Sequence, residues 1–170
     1  AGFIHRDIKP GNVIVDLDGV ARLTGFAIAS RLRRERAALT QPQALAGTLA
    51  YMAPEQTGRM NRSVDTRSDL YSLGVTLYEL LAGGLPFRAS EPLEWIHCHL
   101  ARQPAAFNPA AVPETIGRIV LKLLEKIPEE RYQTAEGVRA DLARCLEELD
   151  ARDRVSSFPL GSRDLAHVLR

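Results

Sequence analysis

His5-Arg6-Asp7-Ile8-Lys9-Pro10-Gly11-Asn12 is the stretch on which the reading of this chain turns. An acid, a cation and an amide fall within six residues, just ahead of the apolar run Val13-Ile14-Val15-Asp16. That spacing suits phosphoryl transfer. Asp7 can take the proton of an attacking hydroxyl, Lys9 can neutralise charge on the moving phosphoryl group, and Asn12 offers a neutral oxygen to Mg2+. Pro10 and Gly11 keep the segment out of helix, so the three side chains converge from a loop. Taken alone, the octet also reads as a polar turn before a strand.

The chain has 170 residues, enough for one domain with a sizeable core. With 22 basic and 21 acidic side chains it is nearly neutral, which points away from nucleic acid or an anionic membrane as main partner. Two cysteines, Cys98 and Cys145, give no disulfide framework and fit a reducing, cytoplasmic compartment. No apolar run is long enough for a membrane span, and no signal peptide is visible. The opening Ala1-Gly2-Phe3-Ile4, without an initiator Met, suggests a piece cut just before the octet.

Working outward, Asp18-Gly19 between two short apolar segments predicts a hairpin over residues 13–23. Residues 31–46, with Arg31, Arg33, Arg34 and Arg36, read as a solvated loop. Gly47-Thr48-Leu49-Ala50-Tyr51-Met52-Ala53-Pro54-Glu55 is a second distinctive stretch. Leu70, Leu73, Leu77 and Leu80/Leu81 then recur at helical spacing, with Asp65 or Ser68 as cap and Gly83-Gly84 as stop. Asp69 in the first turn suits the helix dipole on its own account. Further helices are predicted over 91–103, over 116–127, and from a Thr134 cap through Val138, Leu142, Leu146 and Leu149. His97, Cys98 and His99 tempt a metal reading, but consecutive helical residues diverge by about 100° and cannot converge on one ion. Cys145 reads as inert packing. Residues from 151 onward lose the dense apolar stripe, and Phe158-Pro159-Leu160-Gly161 reads as a linker.

The octet, the Gly47-to-Glu55 stretch, Asp69-Leu70-Tyr71-Ser72-Leu73-Gly74 and Arg131, in that order, resemble the protein kinase family over about residues 1–150. Lys9, two residues after Asp7, resembles the serine/threonine branch. The resemblance implies a mainly α architecture: the C-terminal lobe only of the α+β kinase fold, a helical lobe with a short catalytic-loop β-hairpin. Residues 151–170 become a linker towards a further module. Catalytic roles fall to Asp7, Lys9, Asn12 and Thr48, with Thr48 bonding near Asp7 and Lys9. ATP contacts fall to Lys9, Asn12 and Ile14, and a metal contact to Asn12. Glu55 anchors the segment before it by pairing with Arg131, Asp69 holds the backbone of the catalytic loop, and Arg6 is placed to meet a phosphate on Thr40 or Ser30. One departure stands out. Where the family carries the metal-binding Asp-Phe-Gly, this chain has Gly25-Phe26-Ala27.

The implied function is ATP-dependent phosphoryl transfer to Ser or Thr of a protein substrate in signal transduction, with Mg2+. The alternative is a pseudokinase that binds or scaffolds partners, because Gly25 replaces the acid. The Gly-rich phosphate loop and the strand Lys of the small N-terminal lobe are not in this chain, so by itself it is expected to be inactive and to bind ATP poorly. The stretch from Gly47 through Met60, with Glu55 to Arg62, is similar to the kinase domain of large bacterial multidomain signalling kinases, which implies an ATPase-like neighbour on the C-terminal side.

Overall fold

The computed structural model describes residues 3–31, 35–36 and 49–164. The expectations for Thr40 and Thr48 therefore lie outside the described residues. A 3-10 turn, Pro10–Asn12, leads into β1 (Val13–Val15), which pairs antiparallel with β2 (Ala21–Leu23), Val13 facing Leu23. The hairpin closes through Asp16, whose carboxylate accepts the amides of Asp18 and Val20, while Gly19 takes the left-handed conformation the turn requires (φ 79°). Both faces of this hairpin are largely open, with Ile14, Val15 and Leu17 exposed.

A second, two-residue ladder was not anticipated. In it β3 (Glu35–Arg36) pairs antiparallel with β4 (Ser63–Val64). Pairs this short carry no periodicity for a sequence to display.

Among the described residues, four helices form the body. The first, α1 (Thr66–Ala82), is capped by the Asp65 side chain, which accepts from the Arg67 amide, and ends at left-handed Gly83. It is followed by α2 (Pro92–Ala101), α3 (Glu114–Leu123) and α4 (Ala135–Arg152). The core lies where α3 crosses α1. A β-carbon on Gly74 would stand 2.7 Å from Cβ of Leu123, so only glycine permits the approach of the two backbones. One cluster gathers Leu70, Ile119, Leu123, Tyr132, Val138, Cys145 and Phe158; the other gathers Ala53, Tyr71, Val75, Tyr78, Val120 and Leu124.

The buried faces differ from the predicted leucine stripes. In α1, Tyr71, Ser72, Gly74, Val75 and Thr76 are buried together with Leu70, while Leu80 and Leu81, in the last turn, are exposed. Ser72 and Thr76 tolerate burial because each hydroxyl donates to a carbonyl, Ser72 to that of Tyr51 (2.7 Å) and Thr76 to that of Ser72 one turn back (2.9 Å). In α4, Val138, Asp141 and Cys145 face inward, and Leu146 is exposed. Asp141 is admitted to the core because it accepts the Tyr132 hydroxyl (2.6 Å) and the Gly161 amide (2.7 Å).

The segment after α4 turns back onto the lobe. Phe158 is buried, Ser156 binds Thr115 and Glu148, and Asp164 accepts the amides of Gln133 and Thr134 at 2.6 and 2.9 Å. Up to Asp164, the stretch that reads as a linker is therefore packed; its small apolar content is concentrated in Val155, Phe158 and Leu160, which join the first cluster.

Candidate active site

The site is the loop between the start of the chain and β1, and its shape is set from below by Asp69. Both carboxylate oxygens of Asp69 accept backbone amides, those of His5 (2.7 Å) and Arg6 (2.8 Å). Burial pushes the Asp69 carboxyl up, against those two bonds, which favour the charge. Arg6 has φ 71°, a left-handed conformation that non-glycine residues adopt at a cost. The turn persists because it is held on both sides: its amide by Asp69, its carbonyl by the side-chain amide of Gln56 (3.3 Å). The His5 ring completes the floor. Its Nε2 faces the Thr24 carbonyl at 2.8 Å, so that nitrogen carries the proton, and Nδ1 accepts the Asp7 amide.

This floor brings Asp7, Lys9 and Asn12 together. Lys9 Nζ lies 3.0 and 2.8 Å from the two Asp7 carboxylate oxygens. Asn12 Nδ2 donates to the Asp7 carbonyl (2.7 Å) and to Oδ2 (2.8 Å). The Asp7 carboxylate is thus fixed in direction and flanked by a cation, while remaining 17% exposed to an incoming group. Ile14, on β1, is 57% exposed beside this loop. The Asn12 carbonyl accepts both the amide and the hydroxyl of Thr24, which ties the end of β2 to the loop that carries Asp7 and places Gly25 against Asn12.

Gly25 has φ 82° and ψ 34° and opens the 3-10 turn Phe26–Ile28. A β-carbon there would lie 2.5 Å from Asn12 side-chain atoms. The Asn12 carboxamide therefore occupies the space that an acidic side chain at position 25 would need. Among the described residues no group of three or more His, Cys, Asp or Glu is arranged to hold a metal ion. The donor set for Mg2+ reduces to the Asn12 amide oxygen and an Asp7 carboxylate already paired with Lys9, and it does not fit that ion, which demands near-octahedral oxygen coordination.

Further down, Glu55 and Arg131 meet across 76 positions. Arg131 Nη1 and Nη2 reach the two Glu55 carboxylate oxygens at 2.7 and 2.9 Å, and the side chains are 1% exposed or less. The remaining Arg131 donors go to the carbonyls of Arg67, Glu125 and Lys126, so all five N–H groups are used. Ser68 adds a hydroxyl to Glu55 at 2.7 Å. Ser30 forms a backbone bridge with Ile4.

Three contributors escaped the sequence reading. Thr24, Gln56 and the His5 ring act through backbone carbonyls at long range, and no spacing rule marks such contacts. His97 is exposed, whereas Cys98 and His99 are buried on another face of α2, in keeping with the divergence that argued against a metal.

Comparison with known proteins gives this geometry its family. The protein kinase domain family matches residues 1–142. A probable serine/threonine-protein kinase of Streptomyces coelicolor is 41% identical over 150 residues, 86% of this chain and 22% of the relative. The serine/threonine-protein kinase PknB of Mycolicibacterium smegmatis is 40% identical over 148 residues, 86% of this chain and 23% of its own length. PksC of Streptomyces coelicolor, also a serine/threonine-protein kinase, is 40% identical over 145 residues, 84% and 26%. The chain belongs to the protein kinase family, and its helix-rich body with one short hairpin is the α-rich C-terminal part of that fold. It spans about a quarter of the length of these curated relatives.

Proposed function

We propose that this chain supplies the large lobe of a serine/threonine protein kinase, which passes the terminal phosphoryl group of ATP to a hydroxyl of a protein substrate in cytoplasmic signalling. The observation that carries the reading is the Asp7–Lys9–Asn12 cluster on its Asp69-locked turn. In the reaction the substrate oxygen bonds to phosphorus, the bond to the leaving ADP oxygen breaks, and the hydroxyl proton goes to Asp7. Lys9 offsets charge on the transferred group, and Asn12 keeps the Asp7 carboxylate aimed. ATP is held jointly with a small lobe, to which the open hairpin around Ile14 offers an apolar face. The two buried, unpaired thiols suit a reducing compartment, and none of the described helices is long and apolar enough to cross a membrane.

One observation favours a second reading, a pseudokinase that scaffolds partners. Gly25 contributes no carboxylate, and Asn12 leans into the vacated space. Loss of one preorganised electrostatic group costs roughly 100- to 1,000-fold in rate. Gly25→Asp is not a simple repair, because the new side chain must displace Asn12 from Asp7. The experiment is radiolabelled phosphate transfer to a protein substrate by a protein that joins this chain to a small lobe, as wild type, Asp7→Asn and Gly25→Asp. Slow transfer abolished by Asp7→Asn supports the kinase reading. Transfer absent from wild type and Gly25→Asp alike, with the fold intact, overturns it in favour of the scaffold.

A further inference from the structure

His99 has no part in the chemistry above, yet it is among the most deeply buried polar side chains of the lobe, at 1% exposure. Its Nε2 lies 2.8 Å from the carbonyl oxygen of Leu49, and its Nδ1 lies 3.0 Å from the Tyr71 hydroxyl. A carbonyl only accepts, so Nε2 carries the proton and Nδ1 accepts from Tyr71. The Tyr71 oxygen in turn accepts from Lys126 Nζ at 3.3 Å, which also reaches the Cys98 carbonyl at 3.4 Å. Burial and the nearby Lys126 ammonium hold the His99 imidazole neutral, well below its usual range. The direction of every bond is thereby fixed: Lys126 gives to Tyr71, Tyr71 to His99, and His99 to the backbone at Leu49.

The ring is boxed as well as bonded. Phe87 and Tyr71 meet it edge to face, with centroids 5.5 and 5.7 Å away, and Trp95 stacks at 6.0 Å. Lys126 sits over Phe87 at 4.5 Å and so closes the box from the α3 side. Such a ring has little freedom to follow the backbone; the backbone must follow the ring.

Leu49 is the first described residue of the stretch that runs to Glu55. Beyond it, Ser72 Oγ holds the Tyr51 carbonyl (2.7 Å), the Tyr51 hydroxyl donates to Glu79 (2.6 Å), and Arg131 holds Glu55. His99 is the fastening at the N-terminal end of this series, at the opposite end from Glu55.

We propose that His99 is a positioning residue that fixes the backbone at Leu49, and with it the surface that receives the substrate peptide, through the chain Lys126–Tyr71–His99. The second half of this statement rests on the kinase reading; the first does not.

The test uses three variants. His99→Gln keeps an N–H for the Leu49 carbonyl, His99→Leu fills the space without one, and Tyr71→Phe removes a single hydroxyl. Deuterium exchange of the amides of residues 49–52 is measured in the chain itself. We expect about tenfold faster exchange in His99→Leu, the equivalent of one lost hydrogen bond, with α4 unchanged, near wild-type rates in His99→Gln, and an intermediate rate in Tyr71→Phe. The nitrogen-15 spectrum should show His99 protonated at Nε2 and bare at Nδ1, with Tyr71→Phe shifting Nδ1. In the protein joined to a small lobe, His99→Leu should raise the peptide KM severalfold and leave the ATP KM unmoved. Wild-type exchange at 49–52 in His99→Leu, or a proton on Nδ1, overturns the positioning role. If His99→Leu unfolds globally, faster exchange confined to 49–52 in Tyr71→Phe supports the role and unchanged exchange there overturns it. Absence of transfer in every protein, with exchange altered as expected, would overturn the kinase reading and leave the positioning role standing.

Discussion

Arg131 satisfies three carbonyls as well as Glu55, so the lobe is sensitive to what replaces it. Removing one partner of a buried, hydrogen-bonded ion pair costs about 3 to 5 kcal/mol, because the other charge is left unpaired in a dry site. Arg131→Met and Glu55→Met should each lower the unfolding free energy read from urea titration by that much, and the double variant by less than the sum. Arg131→Lys should also be costly, since an ammonium cannot reproduce the planar fork. His99 supplies a second expectation at this scale. Its folded-state value is about 4, below the ordinary 6.5. The unfolded chain therefore binds the extra proton between those values, and the stability that neutral His99 contributes is present above about pH 6.5 and lost as pH falls towards 4, by up to about 1.4 kcal/mol per pH unit. Asp69, raised by burial, titrates with the opposite sign, so the comparison is made between the unfolding profiles of wild type and His99→Gln. The variant's profile should be flatter across that window; parallel curves would contradict the buried, neutral assignment.

At the scale of elements, the start of α4 is held from outside itself. Thr134 caps in the usual way, accepting the Gly137 amide, but its own amide and hydroxyl, and the Gln133 amide, go to the carboxylate of Asp164, 30 residues on. Gly137 leaves room for that carboxylate: a β-carbon there would stand 2.6 Å from Asp164. Asp164→Ala should destabilise the lobe by about 1 to 3 kcal/mol, the range for orphaned buried donors, and Gly137→Ala should do so by displacing the same acid; both are read as thermal midpoints. Helices α1, α3 and α4 were legible in the sequence because their apolar residues recur at helical spacing, with capping side chains at Asp65 for α1 and Thr134 for α4. The faces they bury were less so. Cys145 and Asp141 go inward and Leu146 outward because Tyr132 and Gly161, on other segments, satisfy Asp141. The Asp7–Lys9–Asn12 cluster was legible because its members sit within one loop. The contacts that shape it, from Thr24, Gln56 and the His5 ring, were not, since each runs to a main-chain carbonyl that has no residue type.

For the molecule as a whole, the apolar side chains are distributed unevenly. The body is closed around α1 and α3, but Phe3, Ile14, Val15, Leu17, Val20, Phe26 and Ile28 are all more than two-fifths exposed around the hairpin and the Gly25 turn. Exposed apolar surface of this kind promotes association. Light scattering on the 170-residue chain should report a mass above the monomer that falls with dilution, and Ile14→Glu with Phe26→Glu should shift it towards the monomer. A clean monomer at all concentrations would contradict this.

The grip of Asp164 on Gln133 and Thr134 also has a mechanical meaning. A pull on the chain beyond Asp164 bypasses α4 and loads the peptide groups of 133 and 134, two positions from Arg131. From there tension passes directly into the Arg131–Glu55 pair and so to the stretch that ends at Glu55. On the kinase reading proposed above, traction at this last anchored acid is expected to reach the Glu55 end of the segment that would receive the substrate.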